Sequence, residues 1–295
     1  ISYLIVSVSI ILGLIISLLF RKFILRPIYI ICDAIDKISE SDYSIKLTPS
    51  GLGSIRTLTS KLNKMTEELS SIETMRNDFV NNFSHEFKTP IISIEGFAKL
   101  LKSGNLTEEE KSEYLDIIIN ESGRLAELSS NILHLTNLEN KTHIKEFSTF
   151  NVSEHVRLAA VLVYNKWRDK NIDFSFEGDE YTITANEQLL RQLWTNLIDN
   201  AFKYSPDGSE IIIQLERNND EIIFSVSDEG KGMSEEEIKH AFDKFYQGDT
   251  SHKEDGNGLG LSLAKKIVSL EEGEIIAENI ESGGCKFTVI LSAKK

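Results

Sequence analysis

The chain has 295 residues, of which 41% are hydrophobic and 26% charged, enough to build more than one buried core. Its formal net charge of −14, with no run of lysine and arginine to track a phosphate backbone, argues against nucleic acid as a partner. The two cysteines, Cys32 and Cys285, lie in unrelated segments without metal-ligand spacing and are expected as small core residues in a reducing compartment.

Ile1 to Phe20 carries no charge and is dominated by Ile, Leu and Val, enough to cross about 30 Å of hydrocarbon as a helix. A signal peptide would need a cation before the apolar run and a small-residue cleavage site after it. Instead Arg21, Lys22 and Arg26 follow, so a transmembrane helix is expected with everything downstream in the cytoplasm. Ser9, Gly13 and Ser17 recur every fourth residue, a spacing that permits close helix approach. The chain starts without methionine inside this apolar run, and an upstream sensory region is expected to be missing.

Ile24, Ile28, Ile31, Ile35 and Ile38 form the next apolar stripe, with Pro27 where a helix can start. A turn-rich stretch from Ser39 to Gly53 interrupts it. Ile55, Leu58, Leu62, Met65, Leu69 and Ile72 then resume in steps of three and four, as a coiled coil requires. Two short parallel helices and a connector over residues 21–74 resemble the HAMP signal-relay module of bacterial receptors, with Ser50-Gly51-Leu52-Gly53 where an acid usually precedes the glycine. The plainer alternative is another membrane-proximal coiled coil.

The repeat continues through Phe79 into Phe83-Ser84-His85-Glu86-Phe87-Lys88-Thr89-Pro90. Phe83, Phe87, Ile91, Ile94, Ala98 and Leu101 occupy the core-facing stripe, and His85 falls about 200° away from its neighbours on that stripe, facing outward. Glu86 can orient the imidazole or take its proton, and Thr89 sits one turn on along the same face. Ser93, Gly96, Phe97 and Leu100 follow that face and are a candidate docking surface, or pack inside a bundle.

After Ser103-Gly104-Asn105, Thr107 and Glu110 form a capping box that opens a second long helix. Its stripe of Leu115, Ile118, Ser122, Leu125, Ser129, Ile132 and Leu135 predicts a helical hairpin over 75–139 that still has an apolar face to bury. Two copies would form a four-helix bundle, so a homodimer is expected.

A polar linker, 140–146, leads into residues 147–295, where β-rich segments (173–176, 210–216, 221–226 and 285–291) alternate with helices near 152–168, 187–204 and 259–270. Three polar constellations sit at the junctions. Asn196, Asn200 and Lys203 share one helical face beside Tyr204, and an amide oxygen with an ammonium there could hold a metal and phosphates. Asp228-Glu229-Gly230-Lys231-Gly232 puts an acid at a strand end before glycines that admit close approach. Gly256-Asn257-Gly258-Leu259-Gly260-Leu261 opens a helix whose free amides suit a phosphate chain. Singly, each could be an ordinary turn or a solvated face.

Their order, with Phe242-Asp243-Lys244-Phe245-Tyr246 between the last two, resembles the catalytic domain of sensor histidine kinases of two-component systems. The stretch around His85 resembles that family's phosphoacceptor box. The resemblance implies a multidomain protein: transmembrane helix, HAMP parallel coiled coil, dimeric four-helix-bundle hairpin and an α/β sandwich of the Bergerat or GHKL fold. It implies ATP and Mg²⁺ as ligands, a bacterial cell membrane location and a cognate response regulator as partner. His85 would be phosphorylated from ATP and would pass the group to a regulator aspartate, with Glu86 as base or orienting group and Thr89 directing water in a regulator phosphatase reaction. Asp228 would accept the adenine amino group, with Gly230 and Gly232 beside it, and Tyr204 would cover the base. Asn196 and Asn200 would face the nucleotide, Asn200 holding Mg²⁺ and Lys203 reaching the phosphates. Gly256, Gly258, Leu259 and Gly260 would admit the triphosphate under a lid of residues 247–256. Gln247 stands where arginine is often found, leaving Lys244 or Lys253 for the γ-phosphate.

Other classes fit less well. A scaffold with a decayed nucleotide site need not keep Asn200, Asp228 and the loop glycines, and an ATP-hydrolysing relative would carry glutamate at position 196.

Overall fold

The computed structural model describes residues 2–49, 53–104, 106–139, 146–248, 257–281 and 283–294. Two compact units divide the chain, Ile1–Asn81 and Asn82–Lys295.

In the first unit, α1 (Ser2–Phe20) passes through a π-helical segment (Arg21–Leu25) into α2 (Arg26–Ser39). Ser7 and Ser9 donate their hydroxyls to the carbonyls of Tyr3 and Ile5, which satisfies these two polar groups within an otherwise apolar stretch. This stretch is long and apolar enough to cross a membrane, and none of its most apolar window is buried. The long helix α3 (Gly53–Ser103) begins in this unit.

Ile31 and Ala34 of α2 and Leu62 of α3 form a small core, onto which Ile38, Ile45, Leu47 and Ile55 pack. Asn63 fixes the connector, accepting from the Leu47 N–H at 2.9 Å and donating to its carbonyl at 2.7 Å. The connector thereby turns Thr59, Leu62 and Thr66 inward and leaves Leu58, Met65 and Ile72 exposed within one chain. Within one chain the expected stripe is buried or half-buried at Ile24, Ile31 and Ile38 and, on α3, at Ile55, Leu62 and Leu69, while Ile28, Ile35, Leu58, Met65 and Ile72 are exposed. Cys32, expected in a core, is exposed.

The second unit starts within α3. A tight break leads to α4 (Glu108–Glu139), opened by the Thr107/Glu110 capping box, with reciprocal bonds of 2.8 and 3.2 Å. Leu128, Leu135 and Leu138 are its buried positions, whereas Leu115 is half exposed. The fullest burial lies in the second half of α4, a helix that packs against the last helix of the unit; Leu135 belongs to the predicted stripe, and Ile118, Leu125 and Ile132 of that stripe are half-buried.

The rest is an α/β layer. Strand β1 (Ser148–Asn151) precedes α5 (Val152–Lys166), β2 (Asp173–Glu177), β3 (Thr182–Ala185) and α6 (Glu187–Tyr204). Strands β4 (Glu210–Asn218) and β5 (Glu221–Ser227) follow, then α7 (Glu235–His240), α8 (Gly260–Leu270), β6 (Glu274–Asn279) and β7 (Cys285–Ser292). The main sheet runs β2-β4-β5-β7-β6, with β2 and β4 parallel and every other pairing antiparallel; β1 and β3 form a separate pair.

Alternation sets which face is covered. Ile211, Ile213 and Leu215 of β4 and Phe287, Val289 and Leu291 of β7 are buried. Against this face lies α6 with Leu190, Leu193, Trp194, Leu197, Ile198, Ala201 and Phe202, the Trp194 ring centred 4.6 Å from that of Phe224. Helices α5 and α8 flank α6.

Candidate functional site

His85 is exposed on α3, as its position off the apolar stripe requires. Phe83 and Phe87 are turned the other way, their rings 4.5 Å apart. The Thr89 hydroxyl donates to the His85 carbonyl at 3.3 Å, which puts it one turn along the same face. Pro90, buried in the helix, has no N–H to offer the carbonyl of Glu86, so the ladder is interrupted beside the histidine. Arg124 of α4 donates to the Glu86 carboxylate at 3.4 Å. Farther down the same helix, Ser93 is half-buried and Gly96 and Leu100 are exposed, while Phe97 packs on Tyr114 of α4 with ring centres 5.1 Å apart.

The three loop constellations meet around the C-terminal half of α6. Asn196 donates to the Gly260 carbonyl at 3.4 Å, tying α6 to the start of α8. Asn200 is half-buried one turn on. Half-buried Lys203 and exposed Tyr204 stand at the helix end, with the ammonium 3.1 Å from the phenol oxygen and 4.5 Å from the ring centre. Gly230 sits so close to this turn that a Cβ would stand 2.7 Å from the Tyr204 carbonyl oxygen. Gly258 (φ +64°) receives the Phe245 N–H on its carbonyl at 2.9 Å, and Phe245 itself is held at φ +61°. Leu259 is fully buried, anchoring the loop from which Gly260 starts α8. Gly256, Lys253 and most of the expected lid lie outside the described residues.

Asp228, at the end of β5, is 4% exposed. Its Oδ1 accepts from the N–H of Gly230 at 2.9 Å and of Cys285 at 3.2 Å. Burial raises its pKa, and the two N–H groups oppose that rise. The second carboxylate oxygen takes neither bond, so it can accept from an amino group. Beside it the Cys285 thiol is pushed up to about 12 by burial and by the Asp228 charge, which makes it inert.

Lys244 is bonded to Glu139 at the end of α4. Gln192 of α6 reaches His134 of α4 at 2.8 Å, so the α/β layer rests on the hairpin through polar pairs as well as through α8.

Several residues at the site carried no signal in the sequence. Arg124 is one. Asn279 is another: its side chain accepts from the Met233 N–H at 2.8 Å and donates to the Met233 carbonyl at 2.5 Å, fixing the loop after Gly232. Gly283-Gly284 did carry a signal, two glycines before a strand. Gly284 (φ +93°) lies against the Asp228 carbonyl, where a Cβ would come within 1.8 Å.

Among the described residues no three His, Cys, Asp or Glu side chains cluster as a metal cage. The oxygen that Asn200 can offer is a single side-chain amide carbonyl, which suits a hard cation that is already carried by phosphates.

Comparison with known proteins bears on this arrangement. The family model described as "Histidine kinase-, DNA gyrase B-, and HSP90-like ATPase" matches residues 185–295, and the "His Kinase A (phospho-acceptor) domain" matches residues 75–141. Heme sensor protein HssS of Staphylococcus epidermidis is 33% identical over 258 residues, covering 85% of this chain and 55% of that protein. Sensor histidine kinase CusS of Escherichia coli is 26% identical over 270 residues, covering 90% and 56%. The chain spans about half the length of the curated relatives it matches. Among solved structures, histidine kinase ThkA in complex with response regulator protein TrrA is 27% identical with a TM-score of 0.63, covering 76% of this chain and 64% of that one.

Proposed function

This chain belongs to the sensor histidine kinases of two-component systems, and we propose that it transfers the γ-phosphoryl group of ATP to His85 and then to an aspartate of a cognate response regulator. The observation that carries the nucleotide half of this reading is Asp228, a buried carboxylate with one oxygen saturated by backbone N–H groups and the other available to an adenine amino group. Around it the chain packs tightly on itself: a Cβ at Gly230 would stand 2.7 Å from the Tyr204 carbonyl oxygen and one at Gly258 2.7 Å from the Phe245 carbonyl carbon, so glycine is what lets these loops close together at the site.

Asp228, Gly230 and Gly232 hold the base, Tyr204 covers it, and Lys203 with Gly258, Leu259 and Gly260 receives the phosphates. Asn196 bridges α6 and α8 and, as an amide, cannot serve as a base for water, which keeps the γ-phosphate for histidine. Asn200 would hold Mg²⁺, which when bound offsets charge on the phosphate oxygens. An imidazole nitrogen of His85 forms the N–P bond in line as the bond to the leaving ADP oxygen breaks. Glu86 takes or stabilises the proton at the other ring nitrogen. The same chain would remove phosphate from the regulator through water oriented by Thr89. Gly96 and Leu100 offer the exposed part of a docking face, with Ser93 and Phe97 beneath it. Lys244, bonded to Glu139 here, would have to exchange partners to reach the γ-phosphate.

The full organisation we propose is a transmembrane helix over 1–20, a HAMP relay over 21–74, the phosphoacceptor hairpin over 75–139, a linker over 140–146 and the ATP-binding domain over 147–295. The Asn63–Leu47 clasp and the small core at Leu62 support a connector folded on two helices. Exposed Leu58, Met65 and Ile72 support a homodimer, and Arg21, Lys22 and Arg26 after an apolar helix support insertion with the kinase in the cytoplasm.

The test is phosphorylation of the chain with γ-labelled ATP. Acid-labile, base-stable label is expected and His85→Gln should eliminate it; label that persists in the variant refutes the assignment.

A further inference from the structure

Helix α6 ends without the usual means of capping its carbonyls. Ser205 is the C-cap, in extended conformation (φ −73°, ψ 140°), and Pro206 follows it, where a helix normally offers a glycine and an N–H. The ammonium of Lys170, from the turn after α5, fills this role. Its Nζ donates to the carbonyls of Phe202 at 3.3 Å, Lys203 at 2.7 Å and Ser205 at 3.1 Å, so three donors meet three acceptors. The carbonyl between them, that of Tyr204, is the one against which Gly230 rests. The last turn of α6 is thus gripped by the ammonium through three carbonyls while its fourth abuts the Asp228 loop.

The grip is itself braced. Nζ of Lys170 stands 5.0 Å from the centre of the Trp167 ring, and Trp167 Nε1 donates to Asp199 of α6 at 2.8 Å. Lys166 pairs with the same carboxylate at 2.9 Å. The Lys170 carbonyl in turn receives the Gly208 N–H at 3.3 Å, closing the turn between α6 and β4. A cation here also complements the negative end of the helix dipole.

We propose that Lys170 is a positioning residue of the nucleotide site, setting the backbone from which Lys203 and Tyr204 project and against which the Asp228-Glu229-Gly230 loop packs. It touches no substrate. The proposal rests on the reading of this pocket as an ATP site.

The experiment uses the full chain in detergent micelles, with mant-ADP and Mg²⁺ as the probe and ATP-dependent His85 labelling as the activity. Binding by the unsubstituted chain tests the ATP reading by itself. Lys170→Met keeps the stem on Trp167 and removes the ammonium. Its affinity for mant-ADP should fall about tenfold, equivalent to ~1.4 kcal/mol. The KM for ATP should rise by the same factor while the rate at saturating ATP stays near that of the parent chain. Lys170→Cys in a Cys32→Ser background, then alkylated with 2-bromoethylamine, restores an ammonium at nearly the same reach. Cys285 is spared because it is buried, and burial pushes its thiol up to about 12. Recovery of affinity on aminoethylation supports the proposal. An unchanged affinity in Lys170→Met, or a loss in Lys170→Cys that aminoethylation does not reverse, overturns it even though the parent chain binds nucleotide.

Discussion

The carboxylate of Glu86 lies 3.4 Å from the guanidinium of Arg124, and both side chains are 25% exposed. The acid next to His85 is therefore held across the hairpin by α4 instead of being left to rotate in solvent. Arg124→Ala should lower the initial rate of His85 labelling by about tenfold, less than the loss of about 100-fold or more expected if the proton acceptor itself were removed, because Glu86 stays in place. Stability should change by only about 0–1 kcal/mol, because the pair is partly solvated. A parental labelling rate in the variant would remove Arg124 from any role in orienting Glu86.

Asp228→Asn tests the adenine acceptor. In the variant the amide oxygen would take the N–H groups of Gly230 and Cys285, turning the NH₂ toward an adenine amino group, donor against donor. Nucleotide affinity should fall by at least about tenfold, the effect of one buried polar group left unpaired. Stability should move the other way. Burial raises the Asp228 pKa in the fold, so the ionised form destabilises the chain at neutral pH and that stability returns as pH falls through the raised value. Denaturant midpoints without nucleotide should favour the variant at pH 7, and the gap should narrow in acid.

Much of this architecture could be read from residue pattern. Strands β4, β5 and β7 announce themselves because their buried residues alternate or run together, and the two long helices because apolar residues recur in threes and fours. The sequence did not reveal β1, β3, α7 or β6. Strand β6 is an edge strand bearing Glu274, Glu278 and Asn279, charges and amides that keep an edge from pairing further but blur the apolar pattern. Strands β1 and β3 are four residues each and rich in threonine. At the site, glycines next to an acid were legible because close approach demands them. Arg124, Lys170 and Asn279 were not, since each acts on a partner 30 or more positions away, and nothing local marks such a pair.

Gly284→Ala should be severe. Its φ of +93° disfavours any side chain, and the added Cβ would sit 1.8 Å from the Asp228 carbonyl oxygen, a backbone atom that cannot swing aside. Strain and displacement together should destabilise the chain by about 3 kcal/mol. Chemical denaturation followed by tryptophan fluorescence would measure it. Gly283→Ala is the control: it shares a positive φ of +97°, yet its Cβ would meet nothing within 4 Å. A loss in Gly284→Ala no larger than in the control would mean that the β6–β7 turn yields and does not buttress Asp228.

His155 gives the α/β layer a dependence on mild acid. Its ring packs on Phe150 with centres 4.5 Å apart, Nε2 lies 3.2 Å from Glu187, and the buried Nδ1 has no hydrogen-bond partner. Desolvation lowers its pKa, and the nearby Arg191 charge adds to that, while Glu187 and Glu154 oppose it. The unfolded chain therefore takes up the proton first, at the ordinary histidine value of about 6.5. The stability associated with neutral His155 is full above that pH and drains away as pH falls toward the depressed folded-state value. Denaturant midpoints should decline between pH 7.5 and 5.5, a window above the range in which ordinary carboxylates titrate. His155→Phe, which keeps the ring and removes the titrating nitrogens, should flatten the profile. An equally steep decline in the variant would assign the effect to another group.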